Sequence, residues 1–155
     1  MPHKTPESVL VLIHTPAFQV LLLERTNHPG FWQSVTGSLE KGESSAEAAC
    51  RELEEETGFR APPTALHDWR LINRFEILPL WRNRYAPGVT HNLEHVFSFC
   101  IPTPNLARLS EAEHRAQCWL DWREAANLCF SWSNQDAILM LPQRHQLLHS
   151  NRPRS

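Results

Sequence analysis

Residues 37–59 constrain the fold more tightly than any other part of the 155-residue chain, because they join a glycine loop, a helix start and a dense run of carboxylates. Ser44 or Ser45 can cap a helix, Ser44 with Glu47 three positions on fits a capping box, and Ala46, Ala48, Ala49, Arg51 and Leu53 are mostly strong helix formers. Gly58 supplies the left-handed residue that ends a helix, so the pattern predicts a helix over about 45–57. Glu52, Glu55 and Glu56 then share one face at i, i+3 and i+4, with Arg51 four before Glu55 to brace it. Like charges on one face repel, and in isolation such a face reads as solvated surface. The loop in front changes that reading. Gly37 and Gly42 let the backbone fold tightly against the helix start. Hard oxygen donors gathered on one face suit Mg²⁺ or Mn²⁺, which cancel the repulsion and bridge to substrate phosphates.

The stretch resembles the Nudix box, Gly-x5-Glu-x7-Arg-Glu-U-x-Glu-Glu-x-Gly-U, where U is a bulky apolar residue. Gly37, Glu43, Arg51, Glu52, Leu53, Glu55, Glu56, Gly58 and Phe59 fill every fixed position. A chance match somewhere in the chain is on the order of 10⁻⁸ at average residue frequencies. The resemblance implies hydrolysis of a phosphoric anhydride with Mg²⁺, or Mn²⁺, as cofactor. It makes Glu52 and Glu56 metal ligands, Glu55 a further ligand or the general base, and Arg51 the residue that orients a glutamate. Gly37 and Glu43 support the loop.

Bulk properties fit one soluble domain over residues 1–155, with 149–155 read as a frayed tail. Hydrophobic residues make up 41% of the chain and charged residues 21%, both ordinary values. A net charge of −2 gives no field for a nucleic-acid polymer. No apolar run approaches a membrane span, and the first residues lack the apolar region of a signal peptide. Cys50, Cys100, Cys118 and Cys129 show no Cys-x-x-Cys spacing and read as reduced, mostly buried thiols of a cytoplasmic protein. The oligomeric state is not legible.

Along the chain, residues 8–13 read as a buried strand and 20–23 as its hairpin partner. Trp32 is either core or a pocket lid. Residues 67–78 suggest strands with imperfect alternation, 82–92 a basic loop with a Pro-Gly turn, and 93–101 a strand. Residues 105–116 read as a polar loop, 117–121 as a short strand and 122–128 as a short helix. Ser131 to Asn134 offer caps for a last helix from Gln135 to about Leu141, which Pro142 should kink or stop.

Two further runs resemble one Nudix subgroup, that which hydrolyses dihydroneopterin triphosphate in folate synthesis: Phe-Trp-Gln-Ser-Val-Thr-Gly at 31–37 and Arg-Tyr-Ala-Pro-Gly-Val-Thr-x-Asn-x-Glu at 84–94. That resemblance implies the family's α/β/α sandwich, with a mixed β-sheet and the box on a loop-helix-loop. Element order alone says only α+β. It also adds Glu113 as a carboxylate outside the box, with Glu111 as fallback. Lys4, Arg25, Thr36, Ser131 and the Phe75-Glu76-Ile77-Leu78 wall become substrate contacts. The partner is a small-molecule triphosphate, cleaved to dihydroneopterin monophosphate and pyrophosphate. Two alternatives remain: a hydrolase of (deoxy)nucleoside triphosphates such as 8-oxo-dGTP or dATP, and a non-catalytic Nudix module that binds a nucleotide.

Overall fold

The fold is taken from a computed structural model, which describes residues 3–150. Its centre is the strand β1 (Glu7–His14), whose residues from Val9 to Ile13 are at most 1% exposed. A strand buried on both faces must be covered by layers on both sides. Around it lie β2 (Gln19–Arg25), β3 (Trp32–Gln33), β4 (Val35–Ser38), β5 (His67–Glu76), β6 (His91–Cys100) and β7 (His114–Asp121). β1 runs parallel to β6 and antiparallel to β2 and β4; β7 pairs with β2, and β5 with β6. The sheet is therefore mixed.

The period of two along the strands divides the core into two layers. Val9, Val11, Ile13, Leu21 and Phe97 pack with Ala48, Ala49 and Leu53 of α1 (Ser45–Thr57). Leu10, Leu12, Val20, Leu22 and Val96 pack with α2 (Trp122–Leu128) and with α3 (Trp132–Ser150) through Ala137, Ile138 and Leu141. The α/β/α sandwich follows from this alternation. α1 keeps the expected bounds, with the Ser44–Glu47 capping box closed in both directions and Gly58 left-handed at φ 77°.

Three sequence expectations are corrected. α3 starts at Trp132 and runs through Pro142, which neither stops it nor falls at its end. The N–H missing at Pro142 costs one bond to the preceding turn, but Ala137, Ile138 and Leu141 bury that turn in the core. The expected tail reaches from the end of α3 into residues 151–155, which lie outside the described residues. β7 begins at His114, three residues earlier than expected, because Glu24 and Arg25 at the end of β2 extend the pairing. The cysteines are free as expected, but of the four only Cys129 is buried.

The imperfect alternation of 67–78 has a local cause. Arg70 sits at φ 53°, and the β5–β6 register slips between Asp68 and Ile72. Trp32, core or lid on sequence, packs half-buried against the α2–α3 layer.

Candidate active site

The box residues assemble around a close approach that only glycine permits. A Cβ on Gly37 would lie 2.2 Å from both Cδ and Oε1 of Glu52. The bare backbone of β4 thus makes room for a carboxylate of α1. Arg51 fixes the surroundings. Its Nε and Nη2 donate to the two oxygens of Glu43 at 2.8 and 2.9 Å. Its Nη1 reaches Glu52 Oε1 at 2.7 Å and Glu55 Oε2 at 3.2 Å, and Nη2 also donates to the Ser38 carbonyl at 3.0 Å. One guanidinium ties the loop, β4 and the helix together. Glu43 holds Arg51 protonated most strongly, and Arg51 in turn holds Glu43 below the usual carboxylate range.

Glu52 and Glu56 are 8% and 1% exposed. Burial pushes Glu52 up to about 7, against the pull of Arg51. Burial, then repulsion from Glu52 and Glu113, raises Glu56 well above its ordinary range, although the Thr36 N–H donates to Glu56 Oε2 at 3.1 Å. Donor atoms of Glu56, Glu113 and His114 all lie within 4.8 Å of one another. His114 is buried and pushed down to about 4, so it brings no positive charge at neutral pH. This chemistry fits a divalent cation: the carboxylates resist ionising together, and oxygen donors are what a hard ion prefers.

Glu55 stands apart, half exposed on Arg51 and outside the cavity that Glu52, Glu56 and Glu113 line. Glu113 reaches that cavity because the 105–113 segment returns to β2, with Thr26 N donating to the Glu113 carbonyl at 2.9 Å.

The carboxylate cavity, about 390 Å³, opens into a second of about 510 Å³. They share Lys4, Arg25, Gln33, Thr36, Gly37, Ser38 and Arg84. Three of these are cations. The Lys4 N–H donates to the Arg84 carbonyl at 2.8 Å, which brings the chain start and the 79–84 turn together. Burial lowers Lys4, with Arg84 and Arg25 repelling it further, and Arg25 is lowered in the same way. Such a cluster is electrostatically ready for an anion.

The larger cavity is the apolar one. Phe75, Glu76, Ile77 and Leu78 form one wall, and Ser131 lies at the start of α3. Glu76 is ion-paired to Arg82. Phe31 stacks on Phe130 at 4.6 Å, Trp81 meets both edge-on, and Arg25 lies over Trp81 at 4.8 Å. The Thr36 hydroxyl, read as a ligand contact, donates to the Val9 carbonyl at 2.9 Å because the two strands pair there. Its backbone N–H, on Glu56, is the part turned to the acidic site. The Ser131 hydroxyl shares a 3.0 Å hydrogen bond with that of Ser133.

Sequence reasoning missed His114 and Gln33, whose Nε2 atoms lie 3.3 Å apart in the buried floor. It marked the 82–92 loop as basic without singling out Arg84. It also missed Asn134, which accepts from the Ser34 N–H at 2.8 Å and donates to the Ser34 hydroxyl at 3.0 Å. The available signal was the pair of unusual runs, Phe-Trp-Gln-Ser and Ser-Trp-Ser-Asn, which prove to be hydrogen-bonded to each other.

Comparison with known proteins agrees with this geometry. The NUDIX domain family profile matches residues 4–141. Dihydroneopterin triphosphate diphosphatase of Escherichia coli (strain K12) is 45% identical over 139 residues, covering 88% of this chain and 91% of the relative. The Haemophilus influenzae protein of the same name is 40% identical over 141 residues, covering 89% and 88%. The solved structure of the E. coli dihydroneopterin triphosphate pyrophosphohydrolase superposes with a TM-score of 0.83 at 42% identity, covering 89% of this chain and 95% of that one. A C. elegans Ap4A hydrolase shares the fold at a TM-score of 0.67 and 17% identity, covering 94% of this chain and 98% of that one. With the box complete and its Glu52 and Glu56 at one cavity, the chain belongs to the Nudix family and is a Nudix hydrolase.

Proposed function

We propose that this protein hydrolyses 7,8-dihydroneopterin triphosphate to dihydroneopterin monophosphate and pyrophosphate, with Mg²⁺ as its working cation. The observation that carries the reading is the pairing of two cavities across three cations: carboxylates on one side, stacked aromatic rings on the other, and Lys4, Arg25 and Arg84 between. A substrate that fits must be a planar organic group on a polyphosphate tail. The names of the relatives at 40–45% identity supply the particular pterin.

Glu52, Glu56 and Glu113 are the residues that would hold the cation. When bound, it neutralises phosphate oxygens and lowers the pKa of a bound water. Arg51 keeps Glu52 aimed at the cavity and sets its distance from Glu43 and Glu55. The Thr36 N–H orients Glu56. Lys4, Arg25 and Arg84 hold the phosphate chain while the wall at Phe75 to Leu78 receives the ring, which places the scissile phosphorus beside the carboxylates for in-line attack. We read the chain as one domain acting in the cytoplasm on a small molecule.

The test is a side-by-side assay of pyrophosphate release from dihydroneopterin triphosphate, 8-oxo-dGTP and dATP at equal concentration. The pterin should win in kcat/KM. A clear win for either nucleotide refutes the substrate, and turnover that survives a chelator refutes the cation.

A further inference from the structure

On β6, Asn92 and Glu94 are two residues apart and so face the same side of the sheet, the side of the larger cavity, which both line. They are 2% and 4% exposed. Each carries an acceptor that has no hydrogen-bond partner among the described residues, Oδ1 of Asn92 and Oε1 of Glu94. The other end of Asn92 is committed, with Nδ2 donating to the Ser8 hydroxyl at 2.8 Å, so the oxygen's orientation is fixed. A buried acceptor left unpaired costs about 1–3 kcal/mol, more for a charged group. Two of them on one wall of a largely apolar cavity are placed to be satisfied by a ligand. The cation site does not use either residue, for it is built from α1 and the segment before β7.

We propose that Glu94 and Asn92 set specificity by accepting hydrogen bonds from the N–H edge of the substrate ring, an edge on which a ring N–H stands beside an exocyclic amine. Pterin and guanine rings present that edge. Adenine presents one donor beside an acceptor, which would meet the Glu94 oxygen with a lone pair. Burial raises the Glu94 carboxyl, with Ser133 and Asn73 opposing, and arriving donors favour its charged form. Sites built to hydrogen-bond a polar edge reject analogues lacking it far more strongly than apolar pockets do. The inference rests on the cavity being the seat of the organic group, as in the proposed function. It concerns ring recognition and not the bond that is cleaved.

The experiment uses the intact protein without metal and the phosphate-free probes neopterin, guanosine and adenosine, titrated by calorimetry. Wild type should bind neopterin and guanosine at least tenfold more tightly than adenosine. Glu94→Gln, close in shape, turns a donor toward the ring and should weaken neopterin binding by about 30–100-fold. In turnover of dihydroneopterin triphosphate, the same variant should raise KM by a similar factor with kcat within threefold, a split that a general loss of structure would not produce. Asn92→Ser, which shortens the second acceptor, should weaken neopterin by about tenfold. Equal affinity of wild type for adenosine and neopterin overturns the proposal whether or not the variants fold. So does unchanged neopterin binding in Glu94→Gln. If the ring preferences hold while no triphosphate of a pterin is hydrolysed, the proposed substrate falls and the edge recognition stands.

Discussion

Gly37→Ala isolates the closest approach in the site. Gly37 has no left-handed φ, so alanine meets no backbone penalty there, and the whole effect comes from the added methyl. That methyl would stand 2.2 Å from Cδ and Oε1 of Glu52 and 2.6 Å from Oε2. Ordinary contact is about 3.5 Å or more, so the carboxylate must retreat by roughly 1 Å. It cannot do so alone, because Arg51 holds Oε1 at 2.7 Å and is itself anchored to Glu43 and Ser38. The overpacking should cost about 1–3 kcal/mol of stability. A ligand misplaced by about 1 Å should lower kcat by about 10²-fold. Gly42→Ala is the contrasting variant. Gly42 is at φ +79° with nothing within 4 Å of a Cβ, so alanine there is strained but touches nothing. It should cost about 1 kcal/mol or somewhat more and leave kcat within threefold. Thermal melting and steady-state pyrophosphate release are measured on both. A Gly37→Ala protein with near-wild-type kcat, or a Gly42→Ala protein as damaged in kcat, would falsify the steric argument.

Three further outcomes are expected. Glu56→Gln keeps an oxygen for the Thr36 N–H and removes a buried charge, so it should melt at or above wild type while kcat falls by 10² or more; near-wild-type turnover would remove Glu56 from its role. Glu52 is raised in the folded state to about 7, so its contribution to stability is full below about 4.5 and lost as pH rises through about 7. Metal-free wild type should therefore lose up to roughly 3 kcal/mol relative to Glu52→Gln across that window; buried His14, pushed down to about 4, changes stability with pH in the opposite sense but equally in both proteins, and a flat difference between them contradicts the reading. Asn134→Ala leaves the Ser34 N–H buried without its partner and should cost about 2–3 kcal/mol in chemical denaturation and raise KM; an unchanged KM would mean that the 31–36 run does not shape the ring cavity.

The part of the site that could be read from the sequence is the part built from one local segment. Within the helix, spacing alone sets Arg51 beside Glu55 and places Glu52 and Glu56 on one face, while the tie from Arg51 back to Glu43 in the loop is seen only in the structure. The burial of β1 was legible for the same reason, since it follows from an unbroken apolar run, whereas the layers on its two faces came only with the family resemblance. Glu113 and Arg84 enter only through the pairing of distant segments: Glu113 through Thr26 and the β2 edge, Arg84 through the Lys4 backbone. No local period carries that information. Pro142 misled because its own helix-breaking cost is visible in the sequence, whereas the offsetting burial of Ala137, Ile138 and Leu141 is tertiary.

The same division separates chemistry from specificity. The box carboxylates lie on α1 and are held locally, Glu52 by Arg51 and Glu56 by the β4 backbone at Thr36. The ring cavity lies on the α3 side and is held by bonds between segments about a hundred residues apart, as between Ser34 and Asn134. Gln33 of β3, Thr36, Gly37 and Ser38 of β4, and the three cations line both cavities. A substitution in the ring wall at Phe75 or Ile77 therefore leaves Arg51 and its four hydrogen-bond partners untouched, and its effect must reach the reaction through the position of the phosphate chain. That is the physical reason why the box announces a phosphate-anhydride hydrolase while the organic group has to be read from residues outside it.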